Sequence, residues 1–288
     1  MKRLSLFVLT PFLFLAFVLA AHAQSIERPP ELTRDARQAF ISGAIVVKGE
    51  GAAPSDKALS TAQKRIMALR AAKVIALREV AEILDGVTVS GETTVVNAAA
   101  ESDTVRVAVQ GIVKGAQVVK EVYEPLSEMG TVYLSVPLSG PDGVMAQLLP
   151  QVMQSVPLPQ MPAYAPPPIA ADSMDGYDGL IIEVIDRGFR PALINRVLAK
   201  NGEVVYDPTK VAQDILVERG AAEYTNNLGK AKALLSERGS KNPVVATVQA
   251  IVKSTDVEIS PADATKIFIS NQRRNFLEGA KVVFVLQQ

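Results

Sequence analysis

The chain has 288 residues, with 30 basic and 30 acidic side chains, no cysteine, no tryptophan and a single histidine. The balanced charge offers no broad basic field to hold nucleic acid or anionic lipid. The missing cysteines exclude thiol nucleophiles, thiolate-bound zinc and disulfides, so stability rests on burial.

Lys2 and Arg3 precede an apolar run from Leu4 to Ala20, and Ala21-His22-Ala23 then sets small residues where a signal peptidase reads. Residues 1–23 are expected to be a secretory signal peptide cleaved between Ala23 and Gln24, the alternative being an uncleaved anchor. Cleavage removes His22, the only histidine, and with it Ser-His-Asp catalysis and imidazole metal ligation. Loss of Lys2 and Arg3 leaves 28 basic against 30 acidic residues. No cysteine stands at the cleavage site, so no lipid anchor is expected. The location expected is the periplasm or the outer-membrane periphery.

After a lead over residues 24–41, Ala44–Lys48 reads as a short strand closed by Gly49-Glu-Gly51. Pro54-Ser55-Asp56 offers an N-cap, and apolar residues at helical spacing from Leu59 to Ile83 predict a helix over residues 57–84, stopped at Asp85-Gly86. Val87–Val95 alternates as a strand, and Gln117–Tyr123 with Thr131–Val136 forms a hairpin around Ser127–Gly130. Asp103–Lys114 fits a strand or a helix equally, because Val105, Val107 and Val109 alternate while Val105, Val109 and Ile112 share a helical face.

The glycine-flanked strand, the Ala68–Ala76 helix segment, Gly86–Val95, Ser102–Arg106 and Gly111–Val119 together resemble a bacterial envelope family. It includes LPP-type surface lipoproteins and the flagellar outer-membrane-associated proteins FlgP and FlgT, the latter through its N-terminal domain. The resemblance spans residues 42–140 and carries no catalytic motif. It implies a small α+β domain and a structural role in an envelope or flagellar assembly, often through oligomerisation.

Seven prolines between Pro150 and Pro168 predict an extended spacer, or alternatively a strap that buries Met153, Leu158, Met161 and Tyr164. Beyond it, Asp178–Ile185 reads as a strand, and Ala192–Leu198 turns through Asn201-Gly202 into Val204–Tyr206. Residues 219–237 read as a helix and Val244–Val252 as a strand. Ser260-Pro-Ala-Asp263 caps a helix ended by Gly279, and Lys281–Leu286 is a last strand expected inside its sheet.

The organisation expected is thus a signal peptide (1–23), a lead (24–41), an α+β domain (42–149), a Pro-rich linker (150–176) and a second α+β domain (177–288). In each domain a helix packs on a mainly antiparallel sheet. Asp172, Asp175 and Asp178 recur at every third residue, without the alternate spacing or closing glutamate of a calcium loop, so no metal site is expected. Glu92, Glu101 and Asp103 show no sign of converging as an acid/base pair. Arg187 and Arg190, beside Asp186 and Asn195, are the candidate ligand-binding residues, since paired guanidinium groups grip carboxylates. No cofactor is expected.

These features point to a non-enzymatic exported envelope protein with a structural or assembly role, set in the flagellar apparatus or elsewhere. Its expected partners are further copies of itself or envelope proteins, and exposed strand edges are the expected means of contact. The alternative is a periplasmic binding module for peptidoglycan or a small anionic ligand.

Overall fold

The computed structural model describes residues 29–156, 160–166, 176–186 and 188–287. The signal peptide and its cleavage site lie outside the described residues. Among the described residues no helix is long and apolar enough to cross a membrane.

After a short helix α1 (Ala36–Ser42), capped by Asp35, the chain enters strand β1 (Ala44–Ala52). Gly49 and Gly51 do not close this strand as expected; they continue it. Their faces lie against helix α2 (Thr61–Asp85), where a Cβ on Gly49 would sit 2.5 Å from the Ala76 nitrogen and one on Gly51 2.5 Å from the Ala72 nitrogen. Gly130 of strand β5 (Met129–Pro137) makes the same approach, 2.7 Å from Ala68. Ala68, Ala72, Ala76 and Val80 recur every fourth residue, so one narrow, small-residue stripe of α2 meets the glycines. The helix starts at Ser60, which forms a capping box with Gln63, rather than at the earlier Ser55-Asp56.

Strand β4 (Gln117–Glu124) completes a three-stranded antiparallel sheet in the order β1-β5-β4. The expected strand Val87–Val95 is instead a tight hairpin of β2 (Thr88–Ser90) and β3 (Thr93–Thr94), bent where Gly91 takes φ +59°. Helix α3 (Val95–Glu101) follows directly. Asp103–Lys114 is helix α4, capped by Ser102, with Val105 and Ile112 buried. Helix α5 (Val144–Ser155) runs through Pro150, which had marked the start of the spacer. Burial of Leu148, Leu149 and Val152 offsets the roughly 3 kcal/mol that an internal proline costs a helix.

The second region is built on seven strands: β6 (Gly179–Val184), β7 (Val197–Ala199), β8 (Val204–Tyr206), β9 (Glu223–Thr225), β10 (Pro243–Val252), β11 (Asp256–Ile259) and β12 (Val282–Leu286). Their order is β8-β7-β11-β10-β6-β12-β9. Pairing is mixed: β7–β8 and β10–β11 are antiparallel, while β11–β7, β10–β6, β12–β6 and β12–β9 are parallel. The α+β class holds in both regions, with antiparallel pairing throughout the first sheet. As expected, β12 lies inside its sheet, buried at every residue.

Helices α6 (Gln213–Arg219), α7 (Leu228–Glu237) and α8 (Pro261–Arg274) complete the region. The expected helix over 219–237 gives up Glu223–Thr225 to β9, because Tyr224 stacks on Phe284 of β12 at 5.4 Å. Helix α8 ends at Asn275 in the left-handed conformation, before Gly279 is reached.

Both regions feed one apolar core. Phe40 of α1 meets Tyr224 edge-on at 5.0 Å, and a single buried cluster runs from Ala72 and Leu134 to Ile182 and Phe284. The backbone joins them too: Leu193 and Ile194 donate to Thr88 and Val89 carbonyls, each at 3.0 Å, and Gly140 donates to Val217 at 2.9 Å. Part of the proline-bearing segment is a strap. Tyr164 donates to Val204 at 2.9 Å, Val204 donates to Pro162 at 2.8 Å, and the Tyr164 ring packs on Phe268 of α8.

The glycine contact predicts a selective cost. Gly49→Ala forces its Cβ into the Ala72 backbone and should lower stability by about 1–3 kcal/mol. Gly111→Ala, whose Cβ meets nothing closer than 3.6 Å on α4, should raise it by about 0.5–1 kcal/mol. Urea denaturation of both variants checks the pair.

Candidate functional site

Two features stand out from the core. The first holds Arg190. A cleft of about 490 Å³ opens between α1, the last turns of α2 and the loop after β6, with Ile83, Phe189 and Pro191 as its apolar floor. Arg34, Arg37 and Arg190 line it together with Asp35, Glu79 and Glu82. Arg37 donates to the Phe189 carbonyl at 2.8 Å, and its partial burial lowers the guanidinium pKa against the raising effect of Asp35. Arg190 keeps its Nη1 3.6 Å from Glu92 Oε2. The other candidate, Arg187, lies outside the described residues.

The neighbours of Arg190 are structural. Asn195 is buried, and its Oδ1 accepts from the Ala192 N–H at 2.7 Å and the Tyr224 hydroxyl at 2.5 Å. Arg196 is also buried, held between Asp207, 3.4 Å from its Nε, and Asp256, which accepts its backbone N–H at 2.9 Å. Burial pushes the Asp256 carboxyl up despite those contacts. The acids read against a catalytic pair stay apart: Glu92 accepts from Ser254 at 2.7 Å, whereas Asp103 pairs with Arg106 on α4.

Asp178 has its own structural duty. It accepts from Ser240 at 2.8 Å, Lys241 at 2.9 Å and Asn242 at 2.7 Å, clamping the start of β6 to the loop before β10. Asp172 and Asp175 lie outside the described residues.

The second feature is a strand edge, and its geometry follows from the ladder. Thr33 donates to Val46 O at 2.7 Å from outside β1, so the even residues of β1 turn their backbone groups outward. Antiparallel ladders alternate, so the odd residues of β1 bond to β5 and the odd residues of β5 bond to β4. Lys120, Val122 and Glu124, opposite Tyr133, Thr131 and Met129, therefore point inward, and Glu121 and Tyr123 present their N–H and C=O groups outward. No strand among the described residues pairs with that edge. Val118, Val119 and Val122 are 42%, 50% and 44% exposed along it.

The other edges are blunted. β1 is bonded by Thr33 in its first half and carries the Lys48–Glu50 ion pair in its second. β8 is bridged by the strap at Ala163, and β9 is three residues long and packed against α1. Covered, charged or very short edges are the usual protection against unwanted pairing; β4 carries charges at Lys120, Glu121 and Glu124, but no described strand covers it. Reading the sequence located the β4 strand but not its place at an edge, which only the strand order reveals.

The Asp178 clamp carries a pH signature. Burial raises its pKa, but the Lys241 and Asn242 N–H groups and the Ser240 hydroxyl outweigh that and hold it below the ordinary value. A depressed folded pKa means stability present above the unfolded value of about 3.9 and lost as pH falls through the folded one. Asp178→Ala should cost about 1–3 kcal/mol at pH 7, the gap in melting temperature closing as pH falls from the ordinary carboxylate range through the lowered folded-state pKa.

Residues 179–288 match the family model described as Treponema pallidum Tp0624, second domain. The match starts at the first residue of β6 and takes in all seven strands of the second sheet and none of the first. No curated protein matches the chain.

Proposed function

We propose that this is an exported, non-enzymatic envelope protein that works in assembly, offering β4 as a strand edge to another chain. The observation that carries this reading is the outward-facing backbone of Glu121 and Tyr123 on an edge that no strand among the described residues pairs, while the edges at β1, β8 and β9 are blunted. Backbone pairing gives such an interface its affinity, and the exposed valines add apolar contact. The resemblance of residues 42–140 to envelope and flagellar assembly proteins supports the same reading, and the flagellar apparatus is one setting for it.

Replacing Tyr123 with proline removes an outward donor while leaving the inward ladder to β5 intact, a position where strands tolerate proline. Tyr123→Pro should release the protein from its envelope complex, seen as a fall in apparent size on native gels, with its far-UV circular dichroism unchanged. An unchanged complex size contradicts edge assembly.

The cleft at Arg190 favours a second reading, binding of an anionic ligand such as a cell-wall peptide carboxylate. Loss of one charged hydrogen bond costs about 1.5–3 kcal/mol. Arg190→Ala should then weaken retention on purified cell wall by about tenfold or more without loss of folding; unchanged retention removes this reading.

A further inference from the structure

The geometry points to a second copy of this chain as the occupant of the β4 edge, paired antiparallel about Val122; this rests on the edge-assembly reading above. The regular part of the edge is short. A bulge at Val119, between the pairs Val118–Leu134 and Lys120–Tyr133, interrupts it on one side, and Pro125 ends it on the other. Residues 120–124 remain, and Val122 is their midpoint.

A two-fold axis normal to the sheet at Val122 sets Glu121 opposite the partner's Tyr123 and Tyr123 opposite the partner's Glu121. These are the two residues whose backbone groups face outward, so all of their donors and acceptors are used, in about four hydrogen bonds. The same axis sets Lys120 opposite the partner's Glu124, and opposite charges directly across a pair stabilise it. Lys120, Val122 and Glu124 share the sheet face turned away from α2, where no helix among the described residues packs on β4.

Neighbouring registers fail on the same chemistry. Centring the axis on Glu121 opposes two carboxylates and sets Tyr123 against the bulge. Centring it on Tyr123 sets Glu121 against the partner's Pro125, which has no N–H to give. Centring it on Lys120 opposes two ammonium groups. The favoured pairing uses the same edge on both copies, so it closes as a dimer with a continuous six-stranded sheet and does not propagate into a fibre.

The cysteine-free chain makes the register directly testable. In this pairing the two Val122 residues form the non-hydrogen-bonded pair, with Cα atoms about 4.5 Å apart, within disulfide reach. Purified Val122→Cys protein should form a disulfide dimer under mild oxidation at least about tenfold more readily than Val107→Cys, a control 65% exposed on α4. Lys120→Cys alone should not link, but should link when mixed with Glu124→Cys. Far-UV circular dichroism establishes that each variant folds. Linking of Val122→Cys no better than the Val107→Cys control overturns the dimer. If Tyr123→Pro still disperses the envelope complex in that case, edge assembly stands with a different partner; if it does not, both readings fall.

Discussion

The close approach of α2 to β1 and β5 is the contact on which the first region depends. Glycine on the strands and alanine on the helix bring two backbones to a distance that any larger side chain would prevent. Dispersion contacts are dense at that distance, and the stripe Ala68, Ala72 and Ala76 is fully buried. The fit also fixes where the helix lies. Because the glycines sit on β1 and β5, α2 covers those strands and only grazes β4, whose residues are exposed or partly exposed on both faces. One packing constraint therefore secures the sheet and leaves its outer strand bare.

The remainder of the molecule ties the first region to the second. The hairpin β2–β3 bonds to the loop before β7, Phe40 of α1 joins the aromatic group of Tyr224, Phe284 and Phe189, and the strap binds β8. Buried polar groups act in the same direction. Asn195 ties the Arg190–Ala192 turn to Thr255 and Tyr224, and Arg196 lies between two carboxylates. An interface that orders few groups on binding loses little entropy, so a rigid edge is a better docking surface than a mobile loop.

Much of this was legible in the sequence where local chemistry decides structure. The long helix, the β4–β5 hairpin, the Asn201-Gly202 turn, the Ser260 cap and the interior position of β12 all follow from spacing and turn residues. Departures occur where a distant contact overrides a local signal. Gly49 and Gly51 look like terminators until α2 is laid on them, and Pro150 looks like a break until α5 is packed on α4. Glu223–Thr225 lies in a stretch whose apolar spacing reads as a helix, yet Tyr224 and Thr225 are strand formers and the segment pairs with β12, and the ambiguous 103–114 segment is decided by burial of Val105 and Ile112. The candidate site divides in the same way. Arg190 was identifiable as a charged group after a strand, whereas Arg34, Arg37, Glu79 and Glu82 join it only through the tertiary fold. The β4 edge was hidden for a related reason, since edge position is a property of strand order.

Amide hydrogen exchange resolved to single residues tests the assembly claim most directly. The account predicts that the Glu121 and Tyr123 amides exchange at nearly the open-chain rate in dilute protein and become protected as concentration rises, while the Val122 amide is protected throughout by β5. Rapid exchange at Glu121 and Tyr123 both in concentrated protein and in the envelope-assembled state would contradict it.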